Sequence, residues 1–455
     1  MAELRKPVFR EDSARSETAE LEAVPAVAIL QEAMETAVRF RASDIHLEPV
    51  RRGVRIRMRI DGRLSVYDRY DEAAYPALQA ALIARAKVLT GMDISEKRRP
   101  QDGRMTFCFG ETEVDVRASS LPTAGGEKIA LRFFYQEIWC RSLRELGLSG
   151  EERKIFREIL SRPYGLVLVT GPTGSGKSTT LYTVLGELNR EEVNVVTVEE
   201  PVEVRLDGIS QIPVNTRAGL TFASALRSLL RQDPDIVMVG EIRDRETAEI
   251  AVQAALTGRL VLSTLHTGSA AGSITRLLDL GVEPYLIADA LTGVAAQRLV
   301  RVLCDCKKER EATEEEKKLL RWPEEEKLLR WSEEKKLSGK MDKKKKSPRW
   351  SDEEPDNKLE EKPEKEVSGL KICDPCGCEK CHGTGYRGRT GIFEVMQINS
   401  AIRSEIRSCS ASSKIRKMSY ADGRRTLREQ AGRLVLEKVT SMEEYRRFLW
   451  EEEEE

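Results

Sequence analysis

The sequence predicts an α/β fold, a parallel sheet with flanking helices preceded by a small α+β domain, and three observations carry that prediction. The run GPTGSGKSTT at 171–180 follows an apolar stretch from Leu166 to Val169 that reads as a buried strand. Around it, from Glu151 to Val302, strand-like and helical patterns alternate, the rhythm of parallel strands joined by crossover helices. Upstream, VRIRMRI at 54–60 alternates Val54, Ile56, Met58 and Ile60 with arginines and ends at Asp61-Gly62, a hairpin signal.

Taken in order, the first element is an amphipathic helix with Leu30, Ala33, Met34, Ala37 and Val38 at helical spacing. ASDIHLEP at 42–49 follows, then the VRIRMRI hairpin, whose arginines give the sheet one basic face. Strand-like runs around Val114 to Ala118 and Ile129 to Phe134 complete a small α+β unit ending near Tyr135. The boundaries expected are a disordered tail over 1–22, this domain over 23–137, a linker over 138–146 and the nucleotide-binding domain over 147–303. A cysteine-rich part spans 304–394, and a C-terminal helical part with an acidic tail spans 395–455. The cysteine-rich part is interrupted by 307–369, where 19 basic and 19 acidic residues in 63 positions leave few aliphatics to bury, so it reads as a solvated polyampholyte.

Composition narrows the class. A length of 455 residues suits several domains of ~150 residues each. The 75 basic side chains nearly cancel 76 acidic ones, so no global field recruits nucleic acid or an acidic membrane. The start MAELRKPVFREDSARSE lacks the apolar core of a signal peptide, and no stretch approaches the ~20 apolar residues of a membrane helix. The chain therefore reads as cytoplasmic, with no transmembrane segment. Six of its nine cysteines lie between Cys304 and Cys381, which in that compartment points to metal rather than disulfides.

The glycine-rich run has a mechanism. Gly171, Gly174 and Gly176 let backbone N–H groups turn inward on phosphate oxygens, with Pro172, Thr173, Ser175 and Thr179 completing the loop. Lys177 supplies a point charge to the β- and γ-phosphates of ATP, and Ser178 offers a hydroxyl to Mg²⁺.

Four further runs follow: TVEEPVE (197–203), LRSLLRQDPDIVMVGEIRD (226–244), LTGRLVLSTLHT (256–267) and AQRLVRVLC (296–304). Together with ASDIHLEP, SEKRRPQDGRM (95–105) and CHGTGYRGRTGIFE (381–394), the chain resembles the secretion and type IV pilus assembly ATPases, the GspE/PilB family, over about Val27 to Val439 outside the charged stretch. The resemblance implies a RecA-like domain behind a smaller one, a homo-hexamer, and ATP hydrolysis that drives pilin-like subunits at the inner membrane, in contact with platform proteins there.

It also implies roles. Glu241 matches the acid that prepares water at the end of the strand IVMVGE, where Gly240 stands in place of an aspartate. Glu200 lies in the acidic box, where the family has aspartate, so a magnesium-directed carboxylate there reaches one methylene further. His266 matches the histidine that senses the γ-phosphate, while the family's preceding glycine-histidine pair reads Gly258-Arg259. Arg117 and Arg132 match an arginine pair of the smaller domain that closes over nucleotide, and Arg227 and Arg231 match a pair in the larger one. Asp44 and His46 of ASDIHLEP read as a packing signature rather than as catalysts.

The family's extension ATPases hold zinc with two Cys-x-x-Cys pairs. Cys378 and Cys381 match the second; the first is expected from Cys304 and Cys306, one residue closer together, with Cys373 and Cys376 as competing ligands. Many relatives carry a further N-terminal domain, and this chain begins almost directly at the second one. Two other classes stay open at this stage: a nucleotide-gated scaffold without turnover, and a DNA-translocating motor using the basic VRIRMRI face.

Overall fold

The computed structural model describes residues 26–71, 73, 77–135, 142–148, 150–320, 369–419 and 425–453. The tail expected over 1–22, residues 321–368 of the charged stretch and part of the expected linker lie outside the described residues.

The first helix, α1 (Ala26–Arg39), buries Ile29, Leu30, Ala33, Met34, Ala37 and Val38, the stripe its spacing predicts. It packs with α2 (Leu78–Leu89) on a six-stranded sheet formed by β1 (Asp44–Val50), β2 (Gly53–Ile60), β3 (Arg63–Asp71), β4 (Gln101–Phe109), β5 (Thr112–Thr123) and β6 (Gly126–Phe134). The order is β3-β2-β1-β6-β5-β4, and each neighbouring pair is antiparallel. Val54, Ile56 and Met58 point inward, and both turn residues Asp61 and Gly62 have positive φ, the geometry of a tight hairpin.

The register corrects the expected basic face. Glu48 stands opposite Arg55 in β2, and Asp44 stands opposite Arg59 in β2 and Arg132 in β6. Glu48 is nearly buried and takes Arg57 at 2.6 Å, Arg55 at 2.9 Å and Lys128 at 2.9 Å. Although burial raises the cost of its charge, hydrogen bonds from Arg57, Lys128 and Arg55 hold its carboxyl down to about 2. The arginines that alternation sends to one side are thus paired with acids from the next strand while staying about a third exposed, at 32%, 27% and 39% for Arg55, Arg57 and Arg59.

The second sheet contains β7 (Gly165–Thr170), β8 (Val195–Glu199), β9 (Ser210–Pro213), β10 (Ile236–Val239), β11 (Leu260–Leu265) and β12 (Leu291–Leu303), with β13 (Lys308–Glu311) and β14 (Lys371–Asp374) forming a separate hairpin before β15 (Tyr386–Gln397). Its order is β15-β12-β7-β11-β10-β8-β9, parallel except at β15. Crossover helices α3 (Gly150–Leu160), α4 (Lys177–Leu188), α5 (Phe222–Leu229), α6 (Arg245–Leu256), α7 (Ala270–Asp279) and α8 (Pro284–Ala290) cover both faces. Every residue of β7, β8, β10 and β11 is therefore buried. Leu166, Leu168, Val237, Val239 and Val261 pack on one side, and Val167, Val169, Met238 and Leu262 on the other.

The charged stretch departs from a solvated excursion at its start. Residues 307–320 pack as β13 and α9 (Glu314–Leu319), with Ala312 and Glu316 buried. The Arg310 guanidinium spans Glu316 at 2.7 Å and Asp374 at 2.5 Å, and Ala312, Leu319 and Leu320 pack on the core of the parallel sheet, so charge pairing and aliphatic burial together order it. Helices α10 (Ser400–Arg407), α11 (Ser412–Ser419), α12 (Leu427–Leu436) and α13 (Met442–Glu453) finish the chain.

The end of β12 is fastened to α13. Arg301, with its side chain 5% exposed, binds Glu444, 4% exposed, at 2.7 Å and lies over the Tyr386 ring at 3.8 Å. Removing one partner leaves the other charge buried, which costs about 3–5 kcal/mol. Arg301→Leu is expected to lower the unfolding free energy, measured by denaturant titration, by that order, whereas Arg407→Leu, whose exposed pair with Asp289 contributes about 0–1 kcal/mol, leaves it nearly unchanged.

Candidate nucleotide and metal sites

β7 ends at Thr170, and the chain wraps through 171–176 into α4. Gly176, the residue before the helix, has φ of 89°, a left-handed conformation that glycine adopts at no steric cost. Lys177 opens α4, and its ammonium donates to the carbonyls of Gly171 at 2.7 Å and Pro172 at 3.0 Å. Burial pulls the Lys177 ammonium down to about 8, with Arg298 adding to the effect and Glu241 opposing it. Ser175 is buried inside the loop, while Ser178 is exposed on the first helical turn.

The neighbouring strands bring the other groups. Gly240 and Glu241 follow β10, and Thr264 of β11 donates its hydroxyl to the Gly240 carbonyl at 2.7 Å and accepts the Ile242 N–H on its own carbonyl at 3.2 Å. Those bonds fix Glu241 at the sheet's carboxyl edge. Its carboxylate, 16% exposed, meets Arg243 at 2.6 Å and the Nε2 of His266 at 3.6 Å. Burial holds the His266 imidazole below its ordinary value, Lys177 and Arg243 push the same way, and Glu241 opposes them.

The adjacent acids Glu199 and Glu200 of the acidic box divide. Glu199 is buried, accepting from Tyr182, from Thr197 at 2.5 Å and from Gln211 at 3.1 Å. Glu200 faces outward and reaches the second nitrogen of Arg243 at 3.4 Å. Arg243 therefore bridges Glu241 and Glu200. Sequence reasoning missed it, although it stands two residues beyond Glu241 in the quoted run.

The arginine pairs have other partners within this chain. Arg117 and Arg132 face each other across β5 and β6. Arg117 donates to the Val202 carbonyl at 3.1 Å and lies over the Phe134 ring, while Arg132 binds Asp44 at 3.0 Å. Burial raises the Glu203 carboxyl, and both arginines counter that rise, so the pair sits beside the acidic box. Arg227 binds Glu246 at 2.5 Å, and Arg231 donates to the Arg227 carbonyl at 2.8 Å. The structure thus gathers Lys177, Glu241, His266 and Glu200, and it holds Arg117 and Arg132 at the box's far end.

A second cluster forms where β12 ends and β15 begins. The sulfurs of Cys304, Cys306, Cys378 and Cys381 lie within 4.8 Å of one another. Cys304 is 3.8 Å from Cys378, and Cys381 is 3.7 Å from both Cys306 and Cys378. Four thiolates at ~2.3 Å from a tetrahedral Zn²⁺ stand roughly 3.8 Å apart, so the set fits that ion. The N–H groups of Cys378 and Gly385 point at the Cys381 sulfur, at 3.1 and 3.2 Å, and offset thiolate charge. Cys304 and Cys306 pair with different partners, which removes the need for a two-residue spacer between them. Cys373 is buried beside Leu303 and Tyr386, and Cys376 is exposed; neither belongs to the cluster.

The position of Lys177 sets a pH dependence. Its charge is present below about 8 and is lost as pH rises through that value, so binding a polyphosphate above it requires proton uptake. Mg-ADP affinity is expected to fall by up to about tenfold per unit above pH 8, with proton uptake visible by titration calorimetry in buffers of different ionisation enthalpy. A flat profile to pH 10 would contradict it.

Known proteins carry the same pattern. The family described as Type II/IV secretion system protein matches residues 19–447. The type II secretion system protein E of Aeromonas hydrophila is 42% identical over 94% of this chain and 76% of its own length. The type IV pilus assembly ATPase PilB of Thermus thermophilus is 41% identical over 89% of this chain and 40% of its own. The solved ATPase DotB of Legionella pneumophila shares the fold at a TM-score of 0.62, with 19% identity over 95% of this chain and 98% of its own. With that span and that identity, the chain belongs to the type II/IV secretion system protein family, as its GspE/PilB resemblance implies.

Proposed function

We propose that this chain is an ATP-hydrolysing motor that works as a homo-hexamer at the inner face of the cell membrane and powers assembly of a pilus or pseudopilus. The observation that carries the reading is Glu241, fixed at a strand end with Lys177, Arg243 and His266 around it. Hydrolysis needs an oriented water more than a strong base, and a carboxylate anchored beside the lysine of a phosphate loop supplies orientation. The relatives named a secretion protein E and a pilus assembly ATPase support the setting. No helix among the described residues is long and apolar enough to cross a membrane; the proposed membrane contacts are peripheral, with phospholipid and with platform proteins.

In this reading Lys177 binds the β- and γ-phosphates of ATP and Ser178 holds Mg²⁺, with Glu200 facing the same metal from the acidic box. Glu241 aligns water, and His266 reports the γ-phosphate. Arg117 and Arg132 approach nucleotide when the antiparallel sheet rotates, letting go of Val202 and Asp44. The Arg132 side chain is 68% exposed, and the buried Asp44 keeps the Ser43 hydroxyl at 2.8 Å and Arg59 at 3.6 Å when Arg132 leaves. Arg227 and Arg231, on α5 and the turn after it, add positive charge across a subunit boundary. Cys304, Cys306, Cys378 and Cys381 would hold Zn²⁺ in a structural role, pinning the two ends of the charged excursion. The DNA-motor alternative loses its support, since the VRIRMRI arginines are matched by Glu48 and Asp44.

Steady-state ATPase assays on size-separated hexamers, with and without phospholipid vesicles, test the motor reading. Turnover is expected in the hexamer fraction, rising with vesicles and falling by at least about a hundredfold in Lys177→Ala; unchanged turnover in that variant would sink it. Elemental analysis checks the metal. About one zinc per chain is expected, lost in Cys378→Ser together with Cys381→Ser and retained in Cys373→Ser.

A further inference from the structure

β12 does more than fill the sheet between β7 and β15. Its parallel register with β7 sets Ala295 against Val169 and Ala296 against Thr170, so the next residue, Gln297, lies level with Gly171, where β7 gives way to the phosphate loop. The Gln297 carbonyl comes so close that a Cβ at position 171 would sit 2.4 Å from its oxygen. With φ of 150° as well, position 171 admits glycine alone. The Gln297 side chain continues under the loop. Its Oε1 accepts the hydroxyl of Thr180 at 2.7 Å, with Gln297 2% exposed and Thr180 fully buried. Its Nε2 would lie 2.9 Å from a Cβ at position 176. One residue therefore touches the first glycine of the loop, its last glycine and the first turn of α4, on both sides of Lys177. Arg298, itself buried, steadies the same carbonyl by donating to it at 3.2 Å.

We propose that Gln297 is a positioning residue for nucleotide binding: it is a template from β12 that holds the 171–176 loop in its phosphate-ready shape. The inference rests on the reading of that loop as the nucleotide site. Gln297 acts through the loop and touches no reacting atom. A loop already in shape loses less conformational freedom when the phosphates arrive, so the contribution falls on affinity and not on the chemical step.

Calorimetric titration of the full chain with Mg-ADP, together with steady-state turnover, tests this. Gln297→Leu and Thr180→Val each remove the same buried hydrogen bond, and each is expected to weaken Mg-ADP about three- to tenfold, with kcat within about twofold of the parent. Thr180→Ser keeps the hydroxyl and is expected to restore the parent affinity. The double variant is expected to be no weaker than the worse single one, because both changes act on one interaction. Should Gln297→Leu not fold, as judged by its melting temperature, Thr180→Val and Thr180→Ser decide the matter alone. Unchanged affinity in a folded Thr180→Val, additive losses in the double variant, or a fall in kcat at unchanged affinity would each overturn the inference. Lys177→Ala separates the two readings. Binding lost there but unchanged in Gln297→Leu and Thr180→Val overturns the template alone, whereas binding that survives Lys177→Ala overturns the loop reading and the template with it.

Discussion

Parallel alignment of β7, β11, β10 and β8 is the constraint on which the rest of the molecule depends. Their carboxyl ends share one edge, so four residues distant in sequence, Lys177, Glu200, Glu241 and His266, come to a single place. Two hydrogen bonds across β10 and β11 then fix the backbone at Gly240 and Ile242, and Glu241 inherits their rigidity. The carboxylate is met by Arg243 and His266 and faces the positive charge of Lys177. This pre-ordering is what a hydrolytic site for a triphosphate asks of a protein, since the phosphoryl group itself supplies most of the chemistry.

The antiparallel sheet and the cysteine cluster attach to this core in different ways. The sheet's described polar links to the parallel core and its extensions include Arg117 to the Val202 carbonyl, Asp61 to the Gly388 N–H and a long contact between Arg63 and Glu443. Each is a small interaction between partly exposed groups, which suits a joint that moves. The end of β12, by contrast, is gripped by Arg301 under Tyr386 and Glu444, and Cys304 follows directly. That end is built to stay still, with its sulfurs already at the spacing of a tetrahedral metal.

Much of the fold was legible because its signals are local. The buried run before Gly171, the alternation of VRIRMRI and the stripe from Leu30 to Val38 each follow from one element's own period. The phosphate loop was legible because its chemistry requires those residue types in that order, whereas Glu241 and His266 were marked by the family resemblance of the runs that contain them. What stayed hidden depends on register. Nothing in VRIRMRI reveals that Glu48 and Asp44 will stand opposite its arginines, and nothing in AQRLVRVLC reveals that Gln297 will lie under Gly171. The choice of Cys304 and Cys306 over Cys373 and Cys376 was likewise open until the end of β12 was seen beside the start of β15. Residues 307–320 misled for another reason: their order comes from the Arg310 pairs with Glu316 and Asp374 together with Ala312, Leu319 and Leu320 on the core, and composition reveals neither.

The central claim is that Glu241 acts on water rather than on nucleotide binding. Single-turnover measurement on Glu241→Gln tests it most directly, because the amide keeps the shape and removes the charge. Mg-ATP affinity is expected to stay within about threefold of the parent while phosphate release slows by about a hundredfold or more. Release at the parent rate, or a loss confined to affinity, would contradict it.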